Sequence, residues 1–127
     1  MISDAATAVA ASVTLRPACS GDISGIVSLV NGYAADAIML YRSPESVQMT
    51  LHDFVVAVDS TGSVMACGAL KEYSPSLAEV ASVAVAREAH GLGLGTAIVA
   101  EVERLARKRG VDELFALTLT PKFFESA

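Results

Sequence analysis

Three glycines, Gly91, Gly93 and Gly95, separate a long apolar segment from an amphipathic one, and this arrangement restricts the fold more than any other part of the chain. The preceding segment, LAEVASVAVA, is almost continuously apolar, as is typical of a central strand that is covered on both faces. The following segment, TAIVAEVERLARKR, places Ile98 and Val102 on one side of a helix. The sequence therefore predicts a strand, a glycine loop and a helix in direct succession.

The glycine loop has the properties of an anion-binding site. Glycine permits backbone conformations in which neighbouring N–H groups point toward one ligand, and a helix N-terminus adds partial positive charge. Phosphate and diphosphate groups are commonly bound in such places. The loop is not a Walker A motif, because no Gly-Lys-Ser/Thr follows, and its last two glycines are closer than those of a dinucleotide fingerprint. The alternative interpretation is a glycine-rich turn without a ligand.

The rest of the chain predicts a small α+β domain. Apolar and alternating runs predict further strands in SVTLRPA, FVVAV, SVMACGAL and ELFALTL. Helical periodicity and capping residues predict helices in CSGDISGIVSLVNGYA, SPESVQMTL and TPKFFESA, and KEYSPS is predicted to be a turn. The crossover through the glycine loop predicts one parallel pair of strands. The expected sheet is therefore mixed and mostly antiparallel, with one β-α-β crossover and helices on both faces.

Length and composition favour one packed domain and disfavour several classes of protein. The chain has 127 residues, of which 53% are hydrophobic, and its net charge is −5. That charge disfavours a nucleic-acid partner, which requires a basic face. No apolar run reaches membrane-spanning length, so a membrane partner is not expected. Residues 1–12 lack the features of a signal peptide and are expected to form a flexible N-terminal arm before a domain at 13–127.

The cysteines and histidines favour a reducing compartment and no metal site. The chain has two cysteines, Cys19 and Cys67, which are far apart in the sequence. Free thiols in the cytoplasm are therefore expected instead of a disulfide. Neither histidine has a cysteine or a second histidine at ligand spacing.

The run VAVAREAHGLGLGTAIV resembles motif A of the GNAT superfamily, the acetyl-CoA-dependent N-acetyltransferases. The motif reads Gln/Arg-x-x-Gly-x-Gly/Ala and falls on HGLGLG, with His90 where Gln or Arg is usual. The resemblance implies a GNAT fold in which loop amides bind the diphosphate of acetyl-CoA, while Val83 and Val85 bind the pantetheine arm and the thioester carbonyl. For either valine, ordinary hydrogen bonding within a sheet is the alternative. The residues implied for the cofactor are Val83, Val85, His90, Gly91, Leu92, Gly93, Leu94, Gly95 and Thr96.

Four segments resemble one group of enzymes within this superfamily. VMACGAL, LAEVASVAVA and ELFALTLTPKFFES are similar to parts of the acetyltransferase domain of bacterial N-acetylglutamate synthases, and AIMLYRSPESV resembles the loop between their first two helices. This resemblance implies an enzyme that acetylates the α-amine of L-glutamate, the first step of arginine biosynthesis. The alternatives are a GNAT acetyltransferase of another small amine or a protein acceptor, and a non-catalytic module that senses acetyl-CoA.

Glu79 is the candidate catalytic base. It is the only charged residue in its apolar run, and in the superfamily a glutamate at this place often deprotonates the amine, commonly through water. The alternative is a glutamate at the sheet edge, in solvent or in a structural ion pair. Phe124 stands where many relatives have a tyrosine acid, so the proton for the coenzyme A thiolate has to come from water or another group.

Arg42 and Lys71 are the candidate residues for binding a dicarboxylic amino acid, which requires cations and ideally a bidentate arginine. Arg42 lies in the segment that resembles the glutamate-binding loop of the synthases, and Lys71 ends a predicted strand shortly before Glu79. For both, a solvated surface charge is the alternative interpretation.

The resemblance also concerns the end of the sheet. Relatives continue with two strands beyond the position that matches Ala127, so we expect C-terminal strands that are missing from this chain or supplied by another one. An open sheet edge favours pairing, and a homodimer is therefore one expected arrangement.

Overall fold

The computed structural model describes residues 13–35 and 42–116, which contain five strands and three α-helices. The predicted arm at 1–12, the predicted helix in TPKFFESA and the end of the predicted strand ELFALTL lie outside these residues. Short 3-10 turns precede α1, β2 and α3. In chain order the elements are β1 (Thr14–Pro17), α1 (Ile23–Ala35), α2 (Pro44–Met49), β2 (Phe54–Val58), β3 (Val64–Ser74), β4 (Leu77–Val85), α3 (Leu94–Lys108) and β5 (Glu113–Ala116).

The strands form one sheet whose order follows the chain, β1-β2-β3-β4-β5. The first four strands pair antiparallel with their neighbours. Short turns join β2 to β3 and β3 to β4, whereas α1 and α2 lie between β1 and β2. β4 and β5 pair in parallel, and α3 forms the crossover between them. The predicted mixed, mostly antiparallel α+β sheet with one β-α-β crossover is confirmed.

Helices cover both faces of the sheet. On one face, α3 packs so closely that a Cβ atom at Gly68 would lie 2.5 Å from Ile98 Cγ2, so this contact requires glycine. The neighbouring Cys67 points to the opposite face, where its thiol and the guanidinium of Arg42 both contact Ser82. That second face, which α1 packs against, is called the α1 face below.

The core fills the space between the sheet and its helices. Every residue of β2 is buried, as are most residues of β4. Each large apolar side chain that is fully buried stabilises the fold by about 1.5–3 kcal/mol. The largest of these side chains are Phe54, Ile26, Leu70, Ile98 and Val30.

The prediction of a turn throughout KEYSPS is wrong. β3 continues to Ser74, and only Pro75 and Ser76 form the turn. Residues 71–74 are all exposed, so polar side chains on both faces of this strand extension reach solvent, and the usual alternation of apolar and polar residues is lost. The extension places Lys71 directly opposite Glu79.

Candidate active site

The glycine loop presents backbone amides at the start of α3. Gly91 and Gly93 have φ values of 85° and 77°, which residues with a side chain rarely adopt. The helix begins at Leu94, two residues before the predicted start. Its N-cap residue is Gly93, which has no side chain that could cap the helix. A Cβ atom at either glycine would meet no atom within 4 Å. The loop therefore has uncapped helical N–H groups with open space beside them, which fits a diphosphate.

His90 ties this loop to the end of β4. Its Nε2 atom lies 3.1 Å from the carbonyl oxygen of Val85, and because a carbonyl can only accept, the ring donates this hydrogen bond. Leu94 and Gly95 are buried, Leu92 is half-buried, and these residues hold the loop against the core. His90 thus has a structural role here, fixing the loop relative to the strand.

Val83 and Val85 are buried in the C-terminal half of β4. Val85 faces Ala66 of β3 in the antiparallel ladder. Both valines lie beyond the described ladder between β4 and β5, which ends at Val80 and Ala116. The contacts of Val83 and Val85 with the pantetheine arm and the thioester carbonyl stay a prediction.

A cavity of about 560 Å³ adjoins the end of β4 and the flank of α1. Val85, which belongs to the predicted cofactor set, lines it. Small side chains along α1 leave the cavity wide at this end of the sheet. Its lining residues are Gly21, Ser24, Gly25, Ser28, Leu29, Gly32, Gly62, Ser63, Val64, Val85, Ala86, Arg87 and Glu88.

A bulge interrupts β4 between Glu79 and Val85. Gly68 of β3 faces two residues there, Ser82 and Val83. Ser82 has a φ of 55° and is the only non-glycine residue with positive φ in the described part of the chain. The thiol of Cys67 lies 3.5 Å from the carbonyl oxygen of Ser82. Burial raises the pKa of this thiol to about 12, so it stays protonated and donates the hydrogen bond.

Arg42 is held in place at both its backbone and its side chain. The Asn31 side chain bonds the Arg42 backbone twice, with Oδ1 accepting from N at 2.8 Å and Nδ2 donating to O at 2.9 Å. The guanidinium donates to hydroxyls of Ser46 (3.0 Å), Thr50 (3.1 Å) and Ser82 (3.3 Å). Arg42 therefore connects the start of α2 to the bulge of β4.

Within 13–35 and 42–116, no carboxylate pairs with the guanidinium of Arg42. The side chain is half-buried, and its guanidinium lies 5.6 Å from the centre of the Phe54 ring. Among the residues that the structure describes, its hydrogen-bond partners are hydroxyl and carbonyl oxygens and none is a carboxylate. A partly desolvated guanidinium in such a place is suited to binding a carboxylate from a ligand.

Glu79 belongs to a second group of side chains on the α1 face. The residue is 9% exposed, and its carboxylate accepts a 2.6 Å hydrogen bond from the hydroxyl of Tyr73. The Tyr73 ring stacks on Phe115 at 5.9 Å, and the ammonium of Lys71 lies 5.3 Å from the centre of the Tyr73 ring. The hydrogen bond to Glu79 raises the pKa of Tyr73, so its hydroxyl remains a donor.

The structure brings three of the predicted site residues to one face of the sheet. Lys71 shares a face with Cys67 by strand alternation, and Glu79 stands opposite Lys71. Arg42 approaches the same face through Ser82. Lys71 is exposed, so solvation remains an alternative for it. Phe124, the position of the missing tyrosine acid, lies outside the described residues.

Sequence reasoning missed Tyr73, Ser82 and Asn31. Tyr73 follows Lys71 by two positions, so extending the strand alternation past Leu70 would have placed both on one face. Ser82 and Asn31 carry no such signal, because a bulge and a contact between a helix and a distant loop are tertiary features.

Two kinds of feature are absent within 13–35 and 42–116. No cluster of three His, Cys, Asp or Glu side chains there is arranged to hold a metal ion. None of the helices in these ranges combines the length and the apolar character that crossing a membrane requires.

Three known proteins illustrate what the chain is similar to. An uncharacterised N-acetyltransferase from Chlorobaculum tepidum is 40% identical over 91% of this chain and 74% of its own length. A Mycobacterium tuberculosis protein solved in complex with CoA is 33% identical, with a TM-score of 0.80, covering 88% of this chain and 68% of that one. The N-acetylglutamate synthase from Neisseria gonorrhoeae, complexed with coenzyme A and N-acetyl-glutamate, is 32% identical with a TM-score of 0.81. That match covers 89% of this chain and 27% of the synthase.

The family comparison agrees with the site. Residues 29–125 match the model of the Acetyltransferase (GNAT) family. This match spans the α1 face, the glycine loop and α3, and it confirms the predicted fold, the predicted superfamily and acetyl-CoA as the donor. The chain belongs to the acetyltransferase (GNAT) family of acetyl-CoA-dependent N-acetyltransferases.

Proposed function

We propose that this chain transfers the acetyl group of acetyl-CoA to the α-amine of L-glutamate, the first step of arginine biosynthesis. The observation that carries the proposal is Arg42, a half-buried guanidinium bonded to neutral oxygens on the same face as Glu79. The similarity to an N-acetylglutamate synthase supports this acceptor. Because the chain spans only about a quarter of that synthase, the activity of the whole synthase is part of the proposal.

L-Glutamate has two carboxylates, and the α1 face offers two cations for them. The described partners of Arg42 engage Nε once, Nη1 once and Nη2 twice, so the second N–H of Nη1 can donate to one carboxylate oxygen of the acceptor, and the fixed guanidinium charge attracts that carboxylate. Lys71 lies on the same face and directly opposite Glu79, where it can attract the other carboxylate through a single charge. An amine placed between the two cations would lie near the carboxylate of Glu79.

The residues divide the chemical work of the transfer. Glu79 accepts the proton that the ammonium group of the acceptor loses, directly or through a water molecule. The resulting amine attacks the thioester carbonyl carbon, so that a C–N bond forms and the C–S bond breaks. The C–S electron pair leaves on the coenzyme A sulfur, which takes a proton from water. After the attack, the nitrogen loses one of its two protons to solvent and keeps the other as the N–H of the amide product, and Glu79 returns its own proton to solvent.

The donor side of the proposed site relies on backbone atoms. The first N–H groups of α3 and the glycine loop would hold the diphosphate, and His90 keeps that loop at the end of β4. Val83 and Val85 remain the proposed contacts of the pantetheine arm. When bound, acetyl-CoA supplies an activated acetyl group as a thioester.

A thiol-release assay tests the proposal. Acetyl-CoA is incubated with the chain and with L-glutamate, L-aspartate, L-glutamine, L-leucine or a polyamine, and free coenzyme A is measured. We expect release with L-glutamate well above the others. Arg42→Lys should raise the KM for L-glutamate by about tenfold or more, because an ammonium has three N–H groups and cannot keep the contacts to Ser46, Thr50 and Ser82 and also donate to the carboxylate. Arg104→Lys is the matched control, since Arg104 is exposed and pairs with Glu101 on α3.

Each alternative function predicts a different result in the same assay. Release with another amine but not with L-glutamate would assign a different acceptor to this GNAT enzyme. Binding of acetyl-CoA in calorimetry without release with any amine would indicate a sensor module.

The remaining proposals concern the cellular location and the oligomeric state of the protein. An enzyme of amino-acid biosynthesis is expected in the cytoplasm, and the two cysteines are free thiols in the structure. A homodimer stays a prediction, and sedimentation of the purified chain measures it directly.

A further inference from the structure

We propose that Ser82 is a positioning residue that couples Arg42 to the bulge of β4. The inference rests on the function proposed above, because it concerns how the cation for the acceptor and the strand for the acetyl donor are held relative to each other. Nothing in the family match or in the resemblance of motif A assigns a role to this serine.

The backbone of Ser82 shows that its conformation is imposed by its surroundings. A φ of 55° is unfavourable for a residue with a Cβ atom, and serine has no particular preference for it. Such conformations persist where neighbouring contacts determine them, and they are concentrated at functional sites. Glycine would relieve the strain, so the presence of serine indicates that its side chain is used.

Two elements hold Ser82 from different directions. On the β3 side, the buried thiol of Cys67 donates to the Ser82 carbonyl oxygen, which the bulge has turned out of the regular ladder. On the α2 side, Arg42 Nη1 donates to the Ser82 hydroxyl at 3.3 Å. Within the described ranges, this is the hydrogen bond by which the Arg42 side chain reaches the sheet, because its other partners are Ser46 and Thr50.

The consequence is that one residue fixes two parts of the reaction geometry. The hydroxyl of Ser82 sets the direction of the Arg42 guanidinium, which receives the carboxylate of the acceptor. The backbone of Ser82 sets the path of β4 into Val83, the first of the two valines proposed to contact the donor. Loss of the hydroxyl should therefore affect acceptor binding and turnover together, while the binding of acetyl-CoA through the backbone of the glycine loop is preserved.

Ser82→Ala and Ser82→Asn form the test. Alanine keeps the Cβ atom and the backbone strain but removes the hydroxyl, so we expect kcat/KM for L-glutamate to fall by about tenfold, through both kcat and KM. The KM for acetyl-CoA should stay within about twofold of wild type. Asparagine tolerates positive φ and offers Oδ1 to Arg42, so it should restore most of the lost kcat/KM.

Thermal unfolding of all variants and a matched surface control separate positioning from folding. Ser60→Ala, an exposed serine in the turn between β2 and β3, should match wild type in every parameter. The inference is overturned if Ser82→Ala has wild-type kcat and KM. It is also overturned if the loss of kcat/KM in Ser82→Ala is matched by a lower melting temperature and Ser82→Asn restores none of the kcat/KM. If wild-type protein binds acetyl-CoA but does not acetylate L-glutamate, the proposed function and this inference both fail. If wild type is active and Ser82→Ala is equally active, only this inference fails.

Discussion

The glycine loop and the α1 face contribute different kinds of chemical group to the proposed site. In the loop, the chemistry lies in the backbone, with Gly91 and Gly93 at positive φ and the first N–H groups of α3 uncapped. On the α1 face, it lies in side chains, with Arg42 bonded to hydroxyls from two elements and Glu79 bonded to Tyr73. The glycine loop needs only a particular backbone conformation, whereas the α1 face needs several side chains that the tertiary fold brings together.

This difference has consequences for tolerance to substitution. The loop has histidine where the family motif has Gln or Arg, and the His90 side chain bonds the Val85 carbonyl while the first N–H groups of α3 have no side-chain cap. The α1 face has less freedom, since removal of one hydroxyl or one carboxylate changes the partner of a charged group. Substitutions of side chains should therefore be severe on the α1 face, and substitutions that change backbone conformation should be severe in the loop.

The largest expected effect is that of Glu79→Gln on turnover. The amide has nearly the same shape but cannot accept the proton of the acceptor, so kcat should fall by about 10²–10³-fold while coenzyme A binding is retained. Steady-state kinetics and calorimetry measure the two quantities. Glu72→Gln is the matched control, because Glu72 is exposed on the neighbouring extension of β3 and contacts Arg109. Full turnover in the Glu79→Gln variant would remove Glu79 from the mechanism.

The second prediction compares two glycines with the same backbone conformation. Gly93→Val should weaken coenzyme A binding by about a hundredfold, because a β-branched residue cannot adopt a φ of 77° without strain and the first turn of α3 would shift. Gly110→Val is the matched control, since Gly110 has a φ of 76° at the other end of α3. Both variants should lose similar thermal stability, and only the first should lose affinity. Equal loss of affinity in both would show that the loop has no specific role.

The same contrast explains how far the sequence predicted this molecule. The strand, the glycine loop and the helix were predictable because glycine spacing and apolar periodicity are local properties. Glu79 was identified as a candidate because one charge in a buried strand stands out. The sequence predicts a turn at Tyr73 because residues 71–74 are exposed on both faces of the strand, and polar residues there do not alternate with apolar ones.

The bulge at Ser82 could not be predicted from local sequence. It depends on the contacts of Arg42 and Cys67, which lie 40 and 15 positions away in the chain. Contacts over such separations are set by the packing of the whole sheet, and no spacing rule for helices or strands reports them.

A third prediction concerns the hydroxyl that contacts the carboxylate of the proposed base. Tyr73→Phe keeps the ring that stacks on Phe115 and removes only the donor to Glu79, so kcat should fall by about fivefold with little change in KM or stability. Steady-state kinetics with L-glutamate measures this. A fall as large as that of Glu79→Gln would place Tyr73 in the proton transfer itself, and no change would show that the hydrogen bond is dispensable.

Tyr73 also gives a prediction about pH. The hydrogen bond to Glu79 raises the pKa of Tyr73 above its ordinary value of about 10, so the folded state favours the protonated phenol. Its contribution to stability is therefore complete below about pH 10 and is lost as the pH rises through the higher pKa of the folded state. The difference between the absorbance titrations of wild type and Tyr73→Phe should show one phenol that ionises later than a free tyrosine. Ionisation at or below about pH 10 would contradict the contact with Glu79.

The smallest expected effect is a difference in reactivity between the two cysteines, and it tests whether the α1 face is closed around the bulge. Cys19 is exposed, whereas Cys67 is buried beneath Ser82 and its pKa is raised to about 12. Because only a thiolate reacts readily, a disulfide reagent near neutral pH should modify one thiol per native chain and two after denaturation. Cys19→Ser should remove the native reaction without changing turnover. Rapid modification of Cys67 in the folded protein would mean that its hydrogen bond to the Ser82 carbonyl opens frequently, and the bulge would then lack one of the two contacts that hold it.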